Sequence, residues 1–225
     1  MRLKGSSSFV LAAAVAAALA FSPAARADQT TPAITAFDTA FAGIHDYQCQ
    51  IKAHELNPKT GQTQDRVYQY SFMKPNFAKT LILSGDGQGS GGVWAGGDQV
   101  SGHQGGLLSG IHLKVSVHDP RATSMLGYTI PDGLMQNIVG VMQTTPGTLT
   151  QTAGGDINGE PTERVVLKTA NPLPPVGITQ LVIYFSKATH WPVREISYAG
   201  SQIVVDQSFV DLKTNTGLTQ NDFPF

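Results

Sequence analysis

The chain has 225 residues, with 15 Lys and Arg against 16 Asp and Glu, one cysteine and 41% hydrophobic residues. So even a charge balance excludes recruitment of nucleic acid by bulk electrostatics, and one cysteine excludes an internal disulfide framework. The length suits a single domain whose core needs no metal or disulfide.

The N-terminal "MRLKGSSS" carries Arg2 and Lys4 and is followed by an unbroken apolar run from Phe9 to Phe21. That run is shorter than the roughly 20 residues that span a bilayer. Small residues at Ala25 and Ala27 precede Asp28, the pattern of a cleaved secretion signal. The expectation is that residues 1–27 are removed and that residues 28–225 act as a soluble, monomeric domain in the periplasm. Cleavage removes three basic residues and no acid, leaving 12 basic residues against 16 acidic ones and a net charge of −4. Any lipid contact must then be apolar and local, because the surface has the wrong sign for anionic headgroups.

"TPAITAFDTAFAGIH" opens the mature chain with Thr31 as an N-cap and Pro32 at the first helical position. Ile34, Phe37, Phe41 and Ile44 fall on one stripe of an amphipathic helix. The period then changes to two: "DYQCQIKAHEL", "DRVYQYSFMK" and "FAKTLILS" read as antiparallel strands joined by "NPKTGQ" and Pro75-Asn76. Cys49 alternates with Tyr47 and Ile51 along the first of these, as a core thiol.

"GDGQGSGGVW" contains a G-x-G-x-x-G match at Gly87, Gly89 and Gly92. A phosphate loop needs a helix opening behind the glycines. Val93, Trp94, Ala95, Gly96 and Gly97 follow instead, with no helical period. Residues 85–106 therefore read as glycine turns around a short strand centred on Val93-Trp94. Two helical pieces come next: a short one from Pro120 after Asp119, and a longer one from Asp132 to Gln143 with Leu134, Ile138 and Val141 on one face and Pro146 as its stop. Strands return in "TLTQT", "TERVVLKTA", "ITQLVIYFS", "PVREISYA" and "QIVVDQSFVDL", with Asn158-Gly159 as a turn signal. About ten strands and three helices, without a linker or repeat, make an α+β domain built on one antiparallel sheet.

Catalytic signals are thin. His112 and His118 share a strand face but lie six residues apart, about 20 Å, too far for one ion. The remaining histidines have no H-E-x-x-H spacing, and only four glutamates occur. No metal, cofactor or catalytic set is expected. Tyr68, Tyr70 and Phe72, by contrast, share one strand face that ends at Lys74. This ladder is either ordinary core or the wall of a cavity for an apolar ligand, with Lys74 at its mouth.

Three blocks resemble the outer-membrane lipoprotein carrier superfamily, the LolA-like proteins. They are "SFMKPNFAKTLILSGD", "GGVWAGGDQV" with Trp94, and the closing "IYFSKATHWPVREISYAGSQIVVDQSFVDLKTNTGLTQNDFPF" with Asn215, Phe223 and Phe225. The resemblance implies a strongly curved, half-open β-barrel whose concave side is covered by helices and whose apolar cavity takes acyl chains. It sets Lys74 where the lipoprotein carrier has a lid-holding arginine. Implied ligand contacts are thus Tyr68, Tyr70, Phe72, Lys74 and Trp94. Implied partners are a lipid or acylated protein and a membrane-bound donor or acceptor. A protein-interaction or sensor module of the envelope on the same fold, and a small hydrolase, are the other two readings.

Overall fold

The computed structural model describes residues 29–106 and 110–224. The expected leader at 1–27 lies outside the described residues, as does Phe225. Eleven strands are described: β1 (Asp46–Leu56), β2 (Thr63–Met73), β3 (Phe77–Gly85), β4 (Gly91–Trp94), β5 (Gln99–His103), β6 (His112–Ser116), β7 (Gly147–Ile157), β8 (Glu160–Leu173), β9 (Ile178–Ser186), β10 (Pro192–Ala199) and β11 (Gln202–Thr214). They form one curved sheet in the order β6-β5-β4-β3-β2-β1-β11-β10-β9-β8-β7. All neighbours are antiparallel, and the two end strands are not paired to each other, so the barrel stays open. The chain starts at the middle of the sheet, runs out to β6, crosses through residues 117–146 and returns from β7.

Alternation explains which residues point inward. On β1, Tyr47, Cys49 and Ile51 are buried, as period-two geometry requires. The more continuous run in β9 serves two faces: Leu181 and Ile183 enter the main core, while Val182 joins Val166 and Ile196 on the opposite side.

Helix α1 (Pro32–Ala42) starts where Thr31 Oγ1 accepts from the Ile34 amide, 3.4 Å, with Pro32 at its first position. Its Ile34 and Phe37 are buried. Phe37 meets Trp191 edge-on at 5.3 Å, and Phe41 lies 6.1 Å from both Phe72 and Trp191. Helix α2 (Met135–Thr144) packs into the same core through Met135, Ile138, Val139 and Met142. It has no side-chain cap of its own; the Tyr47 hydroxyl, from the sheet, accepts from the Met135 amide at 3.2 Å. The two helices thus cover the inner face of the sheet.

Three local expectations change. Val141 is exposed, because Leu134 sits before α2 and the buried stripe is set by Met135, Ile138, Val139 and Met142 instead. No helix starts at Pro120. The Asp119 carboxylate accepts from the Arg121 amide at 2.9 Å and holds the segment in a turn, a side-chain bond that competes with helix. Strand β5 is an addition; Gly102 interrupts its alternating pattern, and a side chain there would put a Cβ 2.5 Å from the Gly91 carbonyl oxygen on β4.

The closing motif wraps the sheet's lower end. Asn215 adopts φ 53° and accepts from the His45 amide at 2.7 Å. Phe223 packs with Met73, Val93 and Phe77. Asp46 accepts from the Thr216 amide (2.6 Å), the Thr216 hydroxyl (2.7 Å) and the amides of Gly217 (3.1 Å) and Leu218 (3.3 Å).

Candidate functional site

A cavity of about 570 Å³ opens between residues 121–133 and the sheet, whose strands β1–β6 give most of the wall and β10 and β11 add Glu195, Val205 and Gln207. That volume falls within the roughly 300–1,000 Å³ typical of small-molecule sites. The alternating faces that bury Tyr47 and Cys49 at one end of β1 carry Ile51, Ala53 and then Glu55 to the cavity. Tyr68 and Tyr70 on β2, Ile82 on β3, Val100 on β5 and Val115 on β6 continue the wall, and Ile138 of α2 closes one end.

The glycine-rich stretch belongs to this wall. Gly87, Gly91, Gly92 and Gly102 line the cavity. At Gly92 a Cβ would approach Ile130 Cδ1 to 3.0 Å and Val100 Cγ1 to 3.2 Å. The missing side chain therefore lets Ile130 of the roof pack closely against the wall.

The roof, residues 121–133, is tied down by side chains from the sheet. Tyr70 Oη donates to the Ile130 carbonyl at 2.5 Å, and Gln64 Oε1 accepts from the Met125 amide at 3.3 Å. Asp132 stiffens the roof from within, accepting from the Thr129 amide at 2.8 Å and hydroxyl at 2.7 Å. Burial pushes the Tyr70 hydroxyl well above its ordinary pKa, so it stays a neutral donor.

Two of the chain's four glutamates enter this cavity. Glu195 accepts from Gln207 Nε2 at 2.6 Å and from Ser197 Oγ at 3.1 Å. Burial raises its pKa despite those two bonds. Burial also raises Glu55, although Ser124, the Leu126 amide and Arg66 favour its charge. Tyr128, on the roof, is pushed upward by burial and then by the fields of Glu195, Glu55 and Asp132. The lining is thus an apolar wall with a charged end, where Glu55, Glu195 and Asp132 outnumber Arg66 and Arg121.

The five residues expected to contact ligand occupy different places. Tyr68 and Tyr70 line the cavity. Phe72, 1% exposed, packs 5.2 Å from Tyr47 within the core under α1. Lys74 Nζ donates to the Phe41 carbonyl at 2.7 Å and the Ala42 carbonyl at 3.3 Å, at the end of α1. Trp94 packs at the core's margin with its Nε1 donating to the Gly97 carbonyl at 2.8 Å. Glu55, Glu195 and the roof were not anticipated. A signal for Glu55 exists, since it stands in phase with Tyr47, Cys49 and Ile51 on a strand whose apolar positions point inward.

Cys49 is buried, and burial pushes its thiol up to about 12, so it is an inert core group. His103 and His112 face each other across β5 and β6 at 5.5 Å. Among the described residues no group of three or more His, Cys, Asp or Glu could hold a metal, and no helix is long and apolar enough to cross a membrane.

No protein-family model and no curated protein sequence matches the chain. Solved structures do. MucB superposes with a TM-score of 0.51 at 11% identity, over 87% of this chain and 63% of MucB, so the chain spans less than two thirds of that protein. The Mycobacterium tuberculosis lipoprotein LppX gives 0.48 at 17% identity, over 83% of this chain and 95% of LppX. A LolA superfamily protein from Nitrosomonas europaea gives 0.42 at 11% identity, over 87% of this chain and 99% of that one. At 11% identity the likeness to MucB is one of fold alone.

Proposed function

We propose that this protein is a carrier or chaperone that shelters an apolar chain, of a lipid or an acylated protein, in the cavity beneath residues 121–133. The observation that supports this most is the cavity itself: about 570 Å³ of space walled by Ile51, Tyr68, Tyr70, Ile82 and Val100. Each buried methylene contributes about 0.8 kcal/mol, so one long acyl chain supplies ample driving force without any covalent step. Tyr68 and Tyr70 are the proposed direct contacts. Phe72 supports them from the core, Lys74 holds α1 in place and Trp94 braces the margin. In this reading the leader at 1–27 directs residues 28–225 to the periplasm, where cargo passes from a membrane-bound donor to an acceptor.

The test is ligand recovery. Protein purified from its own host is expected to carry a lipid-mass adduct in native mass spectrometry. The emptied protein is expected to bind the apolar fluorophore N-phenyl-1-naphthylamine saturably, one per chain. Protein that is bare in the first experiment and non-binding in the second overturns the reading.

A further inference from the structure

We propose that Glu55 receives a hydrogen-bond-donating head, a hydroxyl or an ammonium, so that the cargo is a single-chain amphiphile bound with that head inside the cavity. This rests on the carrier reading above and names its ligand class.

Glu55 lines the cavity and is 8% exposed, yet its Oε2 has no hydrogen-bond partner among the described residues. Ser124 and the Leu126 amide stand near enough to favour the Glu55 charge, but neither donates to Oε2, and the Leu126 amide is bonded to Ser124 Oγ at 3.2 Å. The other neighbouring polar groups are engaged. Glu195 is held by Gln207 and Ser197, and Asp132 by Thr129. Arg121 forms two bonds to Asp119, at 2.8 and 2.7 Å. Arg66 donates to the Asp86 carbonyl at 2.7 Å and to Tyr68 Oη at 3.3 Å. Oε2 is thus a buried acceptor left without a donor, a costly arrangement that a donor on the ligand relieves.

Sign selects among heads. A hydroxyl or an ammonium gives Oε2 its donor. A carboxylate head would instead meet three acids, Glu55, Glu195 and Asp132, against two cations, Arg66 and Arg121, that are already bonded to Tyr68 and Asp119. The methylenes of the same ligand lie along Ile51, Tyr70 and Val100. A fatty acid therefore fits the wall but not the end, whereas a long-chain alcohol or amine fits both.

The experiment displaces bound N-phenyl-1-naphthylamine with three probes of equal chain length: dodecanol, dodecylamine and dodecanoate. Dodecanol and dodecylamine are expected to compete about tenfold better than dodecanoate, the scale of one hydrogen bond to a charged group. Glu55→Leu is expected to lose the preference, judged from the three probes against one another in the same variant. Glu55→Gln, which keeps an acceptor without charge, is expected to weaken dodecylamine more than dodecanol, and it serves as the readout if the leucine variant fails to fold. Equal competition by all three probes, or a preference that survives both substitutions, overturns the head site alone. A wild type that binds neither fluorophore nor any probe overturns the carrier reading and the head site together.

Discussion

Lys74 and Phe41 meet twice: the ammonium donates to the Phe41 carbonyl at 2.7 Å and stands 4.4 Å above the Phe41 ring. A cation on the last carbonyls of a helix is favoured both by the unsatisfied acceptors and by the helix dipole. The side chain that follows the aromatic ladder is thus a C-terminal cap for α1, fastened from the end of β2. Lys74→Ala is expected to cost about 1 kcal/mol, allowing for partial exposure. It should also raise amide exchange in residues 37–43, measured by hydrogen–deuterium exchange. Lys74→Arg, whose fork reaches the Phe41 and Ala42 carbonyls together, should hold the helix at least as well.

The Tyr70 hydroxyl on the Ile130 carbonyl is the corresponding tie for the roof. Tyr70→Phe keeps the ring in place and removes only that bond, at about 1 kcal/mol. Exchange protection should fall in residues 124–133, and N-phenyl-1-naphthylamine should dissociate faster in stopped-flow fluorescence. Unchanged protection and unchanged dissociation would show that the roof is held by its own turns.

The close approach of roof and wall at Gly92 is testable by adding a side chain there. Gly92→Val projects methyl groups toward Ile130 and Val100, and overpacking of this kind costs about 1–3 kcal/mol. Fluorophore affinity should fall several-fold or more. Gly110→Ala, at a position where an added Cβ meets nothing within 4 Å, should leave binding unchanged and serves as the matched control.

Glu55 and Asp46 pull stability in opposite directions with pH. At Asp46 burial opposes charge, but bonds from the Thr216 hydroxyl and amide, from His45 and from Gly217 outweigh it and hold the carboxyl below its ordinary value. Its contribution is present above the unfolded pKa, about 3.9, and is lost as pH falls through the lower folded value. Glu55 is raised in the folded state, so the native protein binds the proton more tightly. Stability should decline as pH rises from about 4.3, the unfolded value, to the folded one, and then level off. Urea melts across this range should lose the acid-side slope in Asp46→Asn and the higher-pH decline in Glu55→Gln.

Asp46→Asn should also loosen the chain end, because the carboxylate gathers donors from Thr216, Gly217 and Leu218. Loss of a buried, charge-assisted cluster costs about 2–3 kcal/mol. Cleavage within residues 215–224 in limited proteolysis is the expected sign.

Strands β9 and β10 are readable to the residue, since "ITQLVIYFS" and "PVREISYA" combine β-branched and aromatic residues with clear turn boundaries. Strand β5 is not, because a sheet that packs backbone on backbone at Gly91 and Gly102 has no side-chain pattern to read. At the site, alternation brings Tyr68 and Tyr70 to one wall. The same alternation carries Phe72 into the core, because α1 lies over that end of β2, and only the tertiary arrangement decides where core ends and cavity begins. The roof was illegible for a related reason. Residues 121–133 have no period of their own, and their position depends on Gln64 and Tyr70, about 60 residues earlier in the chain.

The order of the sheet has a kinetic consequence. Strands β1 to β6 and β7 to β11 are two meanders whose pairings are nearly all between successive strands, whereas β1 joins β11 by pairing residue 47 with residue 214. Contacts so distant in sequence carry a large loop-closure cost and belong to folds that mature in milliseconds to seconds. The seam they make runs down the centre of the sheet, beside Ile51 and Ala53 at the cavity's edge. Each half can assemble early, but the enclosed space exists only after the first and last strands have found each other. On refolding, fluorophore binding is therefore expected to return later than strand formation followed by circular dichroism.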